Sequence, residues 1–181
     1  MDRLTNSTLP SLATRGIQIP AYDRSQVQLG VVHFGPGAFH RAHQAFYLDE
    51  VLRTDLRWGI CEVALQSTGV RDALAPQDGL YTIAVLDKEP GYRVIGSIYG
   101  LLVARESTHA VLARLVDPAV KLITATITEK GYCLRPDGGL DTNHPDIQHD
   151  LAHPDAPRTL VGYLAHALKL RRSKGMPPPN I

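Results

Sequence analysis

The run LGVVHF (Leu29–Phe34) is apolar almost without interruption and stops against the glycines of FGPG. A short apolar run closed by turn residues reads as a buried strand. From Ala38 to Arg53 the period becomes helical, with Phe39, Ala42, Phe46, Tyr47 and Val51 near one face, the pattern of an amphipathic helix. WGICEVAL (Trp58–Leu65) then predicts a second strand, with Cys61, Val63 and Leu65 on one side. Strand, glycine turn, helix and strand make a βαβ unit.

Farther along, VRDALAPQ predicts a short helix. YTIAVLD (Tyr81–Asp87) and YRVIGSI (Tyr92–Ile98) predict two strands separated by KEPG, with Pro90 and Gly91 in the turn. That arrangement predicts an antiparallel hairpin inserted in the sheet or edging it. STHAVLARLVDP begins with a good cap at Ser107 and ends at Pro118, so it predicts a helix. KLITATIT (Lys121–Thr128) predicts a buried strand opening into EKGY. The stretch from Pro136 to Pro157, rich in Asp, His, Pro and Gly, reads as a long surface excursion, and RTLVGYLAHALKLRRSKG as a helix stopped by Gly175. After it come only MPPPNI, so the sheet is expected to be unfinished. Residues 1–28 are polar and turn-rich, with Pro10 and Pro20 as breakers. They read as a lead-in arm to one domain over residues 29–181.

Composition narrows the classes. With 181 residues, 44% hydrophobic and 20% charged, the chain matches one soluble domain with a core. Lys+Arg 19 against Asp+Glu 18 leaves no net field to gather nucleic acid or an acidic membrane surface. Cys61 and Cys133 lie in or beside apolar runs, which suits buried free thiols in a reducing compartment. MDRLTNSTLPSLATRG has no apolar core of signal-peptide length, so a cytoplasmic location is expected.

The chemistry concentrates in HFGPGAFHRAHQAF (His33–Phe46). The first turn of a helix already carries roughly half a positive charge, yet His40, Arg41 and His43 crowd it. An anion seated on the turn would convert that cost into a gain. A dinucleotide pyrophosphate needs one glycine for the bend and a second for close backbone approach. Gly35 and Gly37 fill those places, while His40 stands where a third glycine would be. The expected cofactor-binding residues are therefore His33, Phe34, Gly35, Pro36, Gly37, Ala38, Phe39, His40 and Arg41. The competing reading is a tight strand–helix turn without a ligand, in which Arg41 is merely an awkward cation. A metal site is not expected: His33, His40, His43 and the later Asp141, His144, Asp146, His149 and His153 show neither cysteine pairs nor zinc-enzyme spacing.

HFGPGAFHRAHQAFYLDEVL, WGICEV, DALAPQDGLYTI, RVIGSI, TITEKGYCL, HPDIQHDLAHPDAPRT and GYLAHALKLRR occur in order from about Pro20 to Gly175. Together they resemble the polyol-specific long-chain dehydrogenases, the family of mannitol 2-dehydrogenase and mannonate oxidoreductase (fructuronate reductase). The resemblance implies an α/β fold: a Rossmann-type, doubly wound, mostly parallel sheet with an inserted antiparallel hairpin. It also implies hydride transfer between a nicotinamide cofactor and a linear polyol or sugar acid. In that family a helical second domain carries the catalytic lysine with a neighbouring asparagine and histidine. No residue here matches those positions, so no catalytic residue is assigned, and a fragment or truncated product with weak cofactor binding and little turnover is expected. The small-molecule substrate would meet that other domain.

Cofactor choice usually rests on a carboxylate after the second strand. Here Leu65 is followed by Gln66, Ser67, Thr68 and Gly69, with no acid before Asp72, and Glu62 lies inside the strand. Ser67 and Thr68 are expected to meet the adenosine ribose, with Arg71 close by. NAD follows from the family, and NADP stays open. Thr126, Thr128 and Glu129 follow a strand end and could face the nicotinamide, Glu129 as a proton relay. Alternatively, Glu129 and Lys130 are a solvated turn. A different class of function, a stand-alone nucleotide-binding or interaction module without catalysis, is set against the enzyme-domain reading.

Overall fold

The computed structural model describes residues 3–86 and 90–181. In chain order, a short α1 (Leu9–Ala13) precedes β1 (Leu29–Phe34), α2 (Ala38–Ala42), α3 (Gln44–Val51), β2 (Gly59–Ala64) and α4 (Gly69–Leu74). Next come β3 (Tyr81–Val85), β4 (Gly91–Ile95), β5 (Ile98–Val103), α5 (Thr108–Leu115), β6 (Leu122–Ala125), α6 (Pro145–Ala152) and α7 (Leu160–Ser173). The four parallel strands stand in the order β5-β2-β1-β6. The inner strands β1 and β2 are covered on both faces, which is why they read as continuous apolar runs rather than as alternation.

Alternate side chains feed two cores. Val32, Phe34, Cys61 and Val63 pack with Leu115 of α5 and Tyr163 of α7. Val31 and Ile60 face the other way, onto Ala45 and Leu74. The α7 helix is tied down by Arg171, buried to 2% exposure, whose guanidinium donates to the carbonyls of Leu115 and Asp117 at the end of α5. These two bonds and the positive charge suit a helix C-terminus, where carbonyls lack partners.

The hairpin does not join the parallel sheet. YRVIGSI is two elements: β4 ends at Ile95, and Ile98 opens β5, a strand the sequence pattern hid. The chain turns between them because the Gly96 N–H bonds to Asp49 and the Ser97 hydroxyl to the Ala45 carbonyl, both from α3. β3 and β4 form their own antiparallel pair, Tyr81 opposite Ile95. Residues Leu4, Leu9, Leu12, Ile17 and Ile19 of the arm pack on Leu80 and Val94 at its base. The turn expected over KEPG falls partly on residues 87–89, outside the described residues.

The expected helix over Ala38–Arg53 is broken at His43 (φ −120°, ψ −86°). The break frees the Arg41 carbonyl, which accepts the Tyr81 hydroxyl at 2.6 Å. It also changes which face is inside. His40, Ala45 and Asp49 are buried, whereas Phe39 and Tyr47 are 68% and 58% exposed. Asp49 is the reason the second piece turns this way: its carboxylate accepts from Tyr22 Oη (2.6 Å), Arg93 Nη2 (2.7 Å) and Gly96 N (2.8 Å), joining arm, helix and hairpin. The Pro136–Pro157 excursion contains α6, held by Asp150, which accepts from Arg158 N and from Thr159 N and Oγ1. Asn180 forms a parallel bridge with Leu122, so strand pairing continues beyond β6 where none was expected.

Candidate cofactor turn

The chain runs from β1 outward through β2 to β5, then returns to β6 on the other side of β1. The reversal point therefore lies between β1 and β6, and ligands of open α/β sheets bind beyond the strand ends at such a point. The FGPG turn sits there. Gly35 has φ +100°, and a Cβ on it would lie 2.6 Å from the Thr126 carbonyl oxygen, so this glycine serves the close approach of β1 to the end of β6. Gly37 is different. Its φ is −73°, and a Cβ would meet no atom closer than the Gly35 oxygen at 3.9 Å. Nothing in the protein's own packing demands a glycine at 37.

Gly37 caps α2, and its own N–H turns back to the Gly35 carbonyl at 2.6 Å. The next N–H groups, of Ala38 and Phe39, have no acceptor among the described residues, as expected for a first helical turn. Arg41 folds back over them and donates to the Pro36 carbonyl. Gly35, Pro36, Gly37, Ala38, Phe39 and Arg41 thus form one rim. Phe34 does not reach it, because it is fully buried in the α7 core with its ring 6.1 Å from Tyr163. His33 and His40 also point inward.

Those two rings stack at 3.5 Å, with planes 10° apart. His33 Nδ1 is 2.8 Å from Thr124 Oγ1, and its Nε2 lies 3.1 Å from the Gly35 carbonyl oxygen and 2.9 Å from Thr126 Oγ1. Burial pushes His33 down to about 4, against the pull of that carbonyl. Burial likewise takes His40 down to about 3, aided by His33 beside it. Across the pair lies Glu62 of β2, 1% exposed, with Oε1 3.4 Å from His40 Nε2. The contact is not aligned as a hydrogen bond, and both Glu62 oxygens and both His40 nitrogens lack partners. Burial therefore governs the acid and raises it to about 7, with Arg41 opposing. Glu62 is buried on the sheet beside the His33–His40 pair. Its meeting with His40 had only one signal in the sequence, a lone carboxylate inside the otherwise apolar run of β2.

After β2, Ser67 and Thr68 lie in a loop of their own; the Ser67 hydroxyl accepts from Gly69 N at 3.3 Å. Arg71 is committed to Asp72 at 2.8 Å and to Glu106. Thr126 reaches the turn, its hydroxyl donating to the Gly35 carbonyl at 3.0 Å. Glu129 is exposed at the start of a turn over Glu129–Tyr132. Among the described residues no helix is long and apolar enough to cross a membrane.

Residues 29–181 match the family model described as the mannitol dehydrogenase Rossmann domain. Mannitol 2-dehydrogenase of Cereibacter sphaeroides is 39% identical over 91% of the chain, and D-mannonate oxidoreductase of Escherichia coli is 39% identical over 97%. A solved structure of Pseudomonas fluorescens mannitol 2-dehydrogenase, in a ternary complex with NAD and D-mannitol, superimposes with a TM-score of 0.91 at 40% identity, covering 98% of the chain. The chain spans little more than a third of these relatives, 36% of each enzyme and 37% of the solved chain. Parallel sheet, reversal-point glycine turn and sequence likeness agree: the chain belongs to the mannitol dehydrogenase family and comprises its Rossmann domain.

Proposed function

We propose that this domain binds NAD and forms the cofactor half of an oxidoreductase that interconverts a polyol or sugar acid with its ketone. The observation that carries the reading is the turn at Gly37. It combines open space in place of a side chain, two unanswered N–H groups and an arginine at the rim, which is the donor set a pyrophosphate requires. The contrast with Gly35, whose Cβ would strike the Thr126 carbonyl, supports a ligand role for Gly37 over a packing role. Bound there, the cofactor supplies a nicotinamide carbon that accepts or gives hydride. This chain's residues hold the phosphates and fix the ring's approach from the β1–β6 crevice.

NAD is favoured over NADP by charge. Arg71 is the cation beside the ribose-facing loop of Ser67 and Thr68, and Asp72 and Glu106 already oppose it with two negative charges. A 2′-phosphate would add more negative charge to that corner, whereas a hydroxyl would not. Glu129 is proposed as a proton relay rather than the principal base, being exposed on the turn that follows the crevice. The principal base would come from outside this chain, so the chain alone should bind cofactor without turning over fructose or fructuronate.

Titration of the 181-residue protein with NADH, followed by nucleotide fluorescence, tests the reading. Saturable binding weakened at least tenfold with NADPH is expected, where tenfold corresponds to about 1.4 kcal/mol. No saturation with either nucleotide would overturn it. Binding without turnover even after fusion to the remaining portion of a relative would favour a non-catalytic nucleotide-binding module.

A further inference from the structure

The Gly35 carbonyl is the most heavily bonded atom of the cofactor turn. It accepts from the Gly37 N–H at 2.6 Å and from the Thr126 hydroxyl at 3.0 Å, and His33 Nε2 lies 3.1 Å away. Nε2 also lies 2.9 Å from Thr126 Oγ1, which can donate or accept, whereas the Gly35 carbonyl can only accept, so a bond to that carbonyl requires the proton on Nε2. A neutral imidazole then has a bare Nδ1, which must accept. Its partner at 2.8 Å is the Thr124 hydroxyl, whose single proton is thereby used. Thr124 Oγ1 lies 3.0 Å from Gln44 Oε1, to which it donates when its proton is free; with that proton given to His33, the Gln44 amide is turned end for end and its NH₂ group donates to Thr124. With the proton on Nε2 the polarity runs Gln44 to Thr124, Thr124 to His33, His33 to the Gly35 carbonyl; with it on Nδ1 it runs His33 to Thr124 and Thr124 to Gln44, and the carbonyl loses the histidine bond. The ring is also clamped between strand and helix by the His40 face 3.5 Å above it.

We propose that His33 is a positioning residue for the cofactor turn, holding the Gly35 carbonyl inward so that the N–H groups of Ala38 and Phe39 face the dinucleotide. A carbonyl freed from the interior could rotate its peptide toward the phosphates, where its negative end would repel them. His33 itself touches no ligand, being fully buried. The role rests on the NAD reading above, and Thr126 shares it from the β6 side.

Two measurements decide it. In nitrogen–proton correlation spectra at neutral pH, His33 is expected as the neutral Nε2–H tautomer. NADH affinity is expected to fall about tenfold or more in His33→Leu, the loss of one well-placed bond to a polar group. His33→Gln, whose amide can reach the same carbonyl, should recover most of that loss, which a purely space-filling role would not predict. Should His33→Leu not fold, Thr126→Val against Thr126→Ser makes the same comparison at an exposed position, with the serine variant near wild type. A wild-type Nδ1–H tautomer would overturn the proposal. So would undiminished NADH affinity in folded His33→Leu, or in both Thr126 variants. A wild-type chain that binds no NADH overturns the NAD reading instead. The tautomer then still judges the hold on Gly35.

Discussion

Gly35 and Gly37 are two residues apart in the same turn, yet replacing them should give opposite phenotypes. At Gly35 an alanine must adopt φ +100° and place its Cβ 2.6 Å from the Thr126 carbonyl oxygen and 2.8 Å from its carbon. The backbone conformation alone costs about 1–3 kcal/mol for a non-glycine residue. Relieving the overlap means parting the ends of β1 and β6, an overpacking cost of about 1–3 kcal/mol more. The sum, roughly 2–6 kcal/mol, is a large share of the 5–15 kcal/mol that typically stabilises a domain. At 2–4 °C per kcal/mol, the expected fall in Tm is about 4–24 °C. Gly37→Val meets neither obstacle. Its φ of −73° is ordinary and its Cβ enters open space. The loss of a good helix cap and the gain from a stiffer unfolded chain are each below about 1 kcal/mol and oppose one another. The valine does occupy the space assigned to the pyrophosphate. Thermal melting and NADH titration of both variants therefore separate the roles. Gly35→Ala melts early, and Gly37→Val melts with wild type but binds no cofactor. Equal Tm losses in the two variants, or unchanged NADH affinity in Gly37→Val, would refute the division.

Arg41→Ala should weaken NADH binding about tenfold or more, since a charge-assisted contact contributes roughly 1.5–3 kcal/mol, and should also lower Tm slightly because the bond to the Pro36 carbonyl is lost. A raised Tm with unchanged affinity would contradict this. His33 and His40 stay neutral in the fold, with values near 4 and 3, and charge near 6.5 once unfolded. Their contribution is therefore complete above pH 6.5 and falls as pH drops toward those values. Glu62, raised to about 7 from 4.5, works in reverse, and its burial cost shrinks as pH falls from 7 to 4.5. Glu62→Gln removes the compensating trend. Urea unfolding should show that variant losing up to about 1.4 kcal/mol per pH unit per histidine between pH 6.5 and 5, while the wild type changes less. A parallel pH dependence in both proteins would contradict the assignment. Asp49→Ala leaves Tyr22 and the Gly96 N–H without their acceptor and Arg93 with Glu50 alone, and should cost about 2–4 kcal/mol, read as an early urea midpoint. A midpoint within error of wild type would show that the carboxylate does not lock arm to hairpin.

The sequence alone determined the strands β1, β2 and β6, the α5 and α7 helices, and the glycine turn. Each rests on a local cause: an uninterrupted apolar run, a capping serine or threonine, a stop residue, or two glycines between a strand and a helix. Family membership was legible for the same reason, since the motifs lie in order along the chain. What it could not supply were the choices made by distant partners. IYGLLV became the edge strand β5 because Asp49 and Ala45 of α3 hold Gly96 and Ser97 in a bend, 47 and 52 residues away in sequence. The helix after the turn buries His40 and Asp49 and exposes Phe39 and Tyr47, the reverse of its hydrophobic pattern. Tyr81 takes a carbonyl from its middle, and Arg93 and Tyr22 draw a carboxylate inward. Hydrophobic periodicity records which side chains prefer to leave water. It carries no record of a polar group whose partners arrive only when strand, helix and hairpin meet, and there the tertiary structure decided.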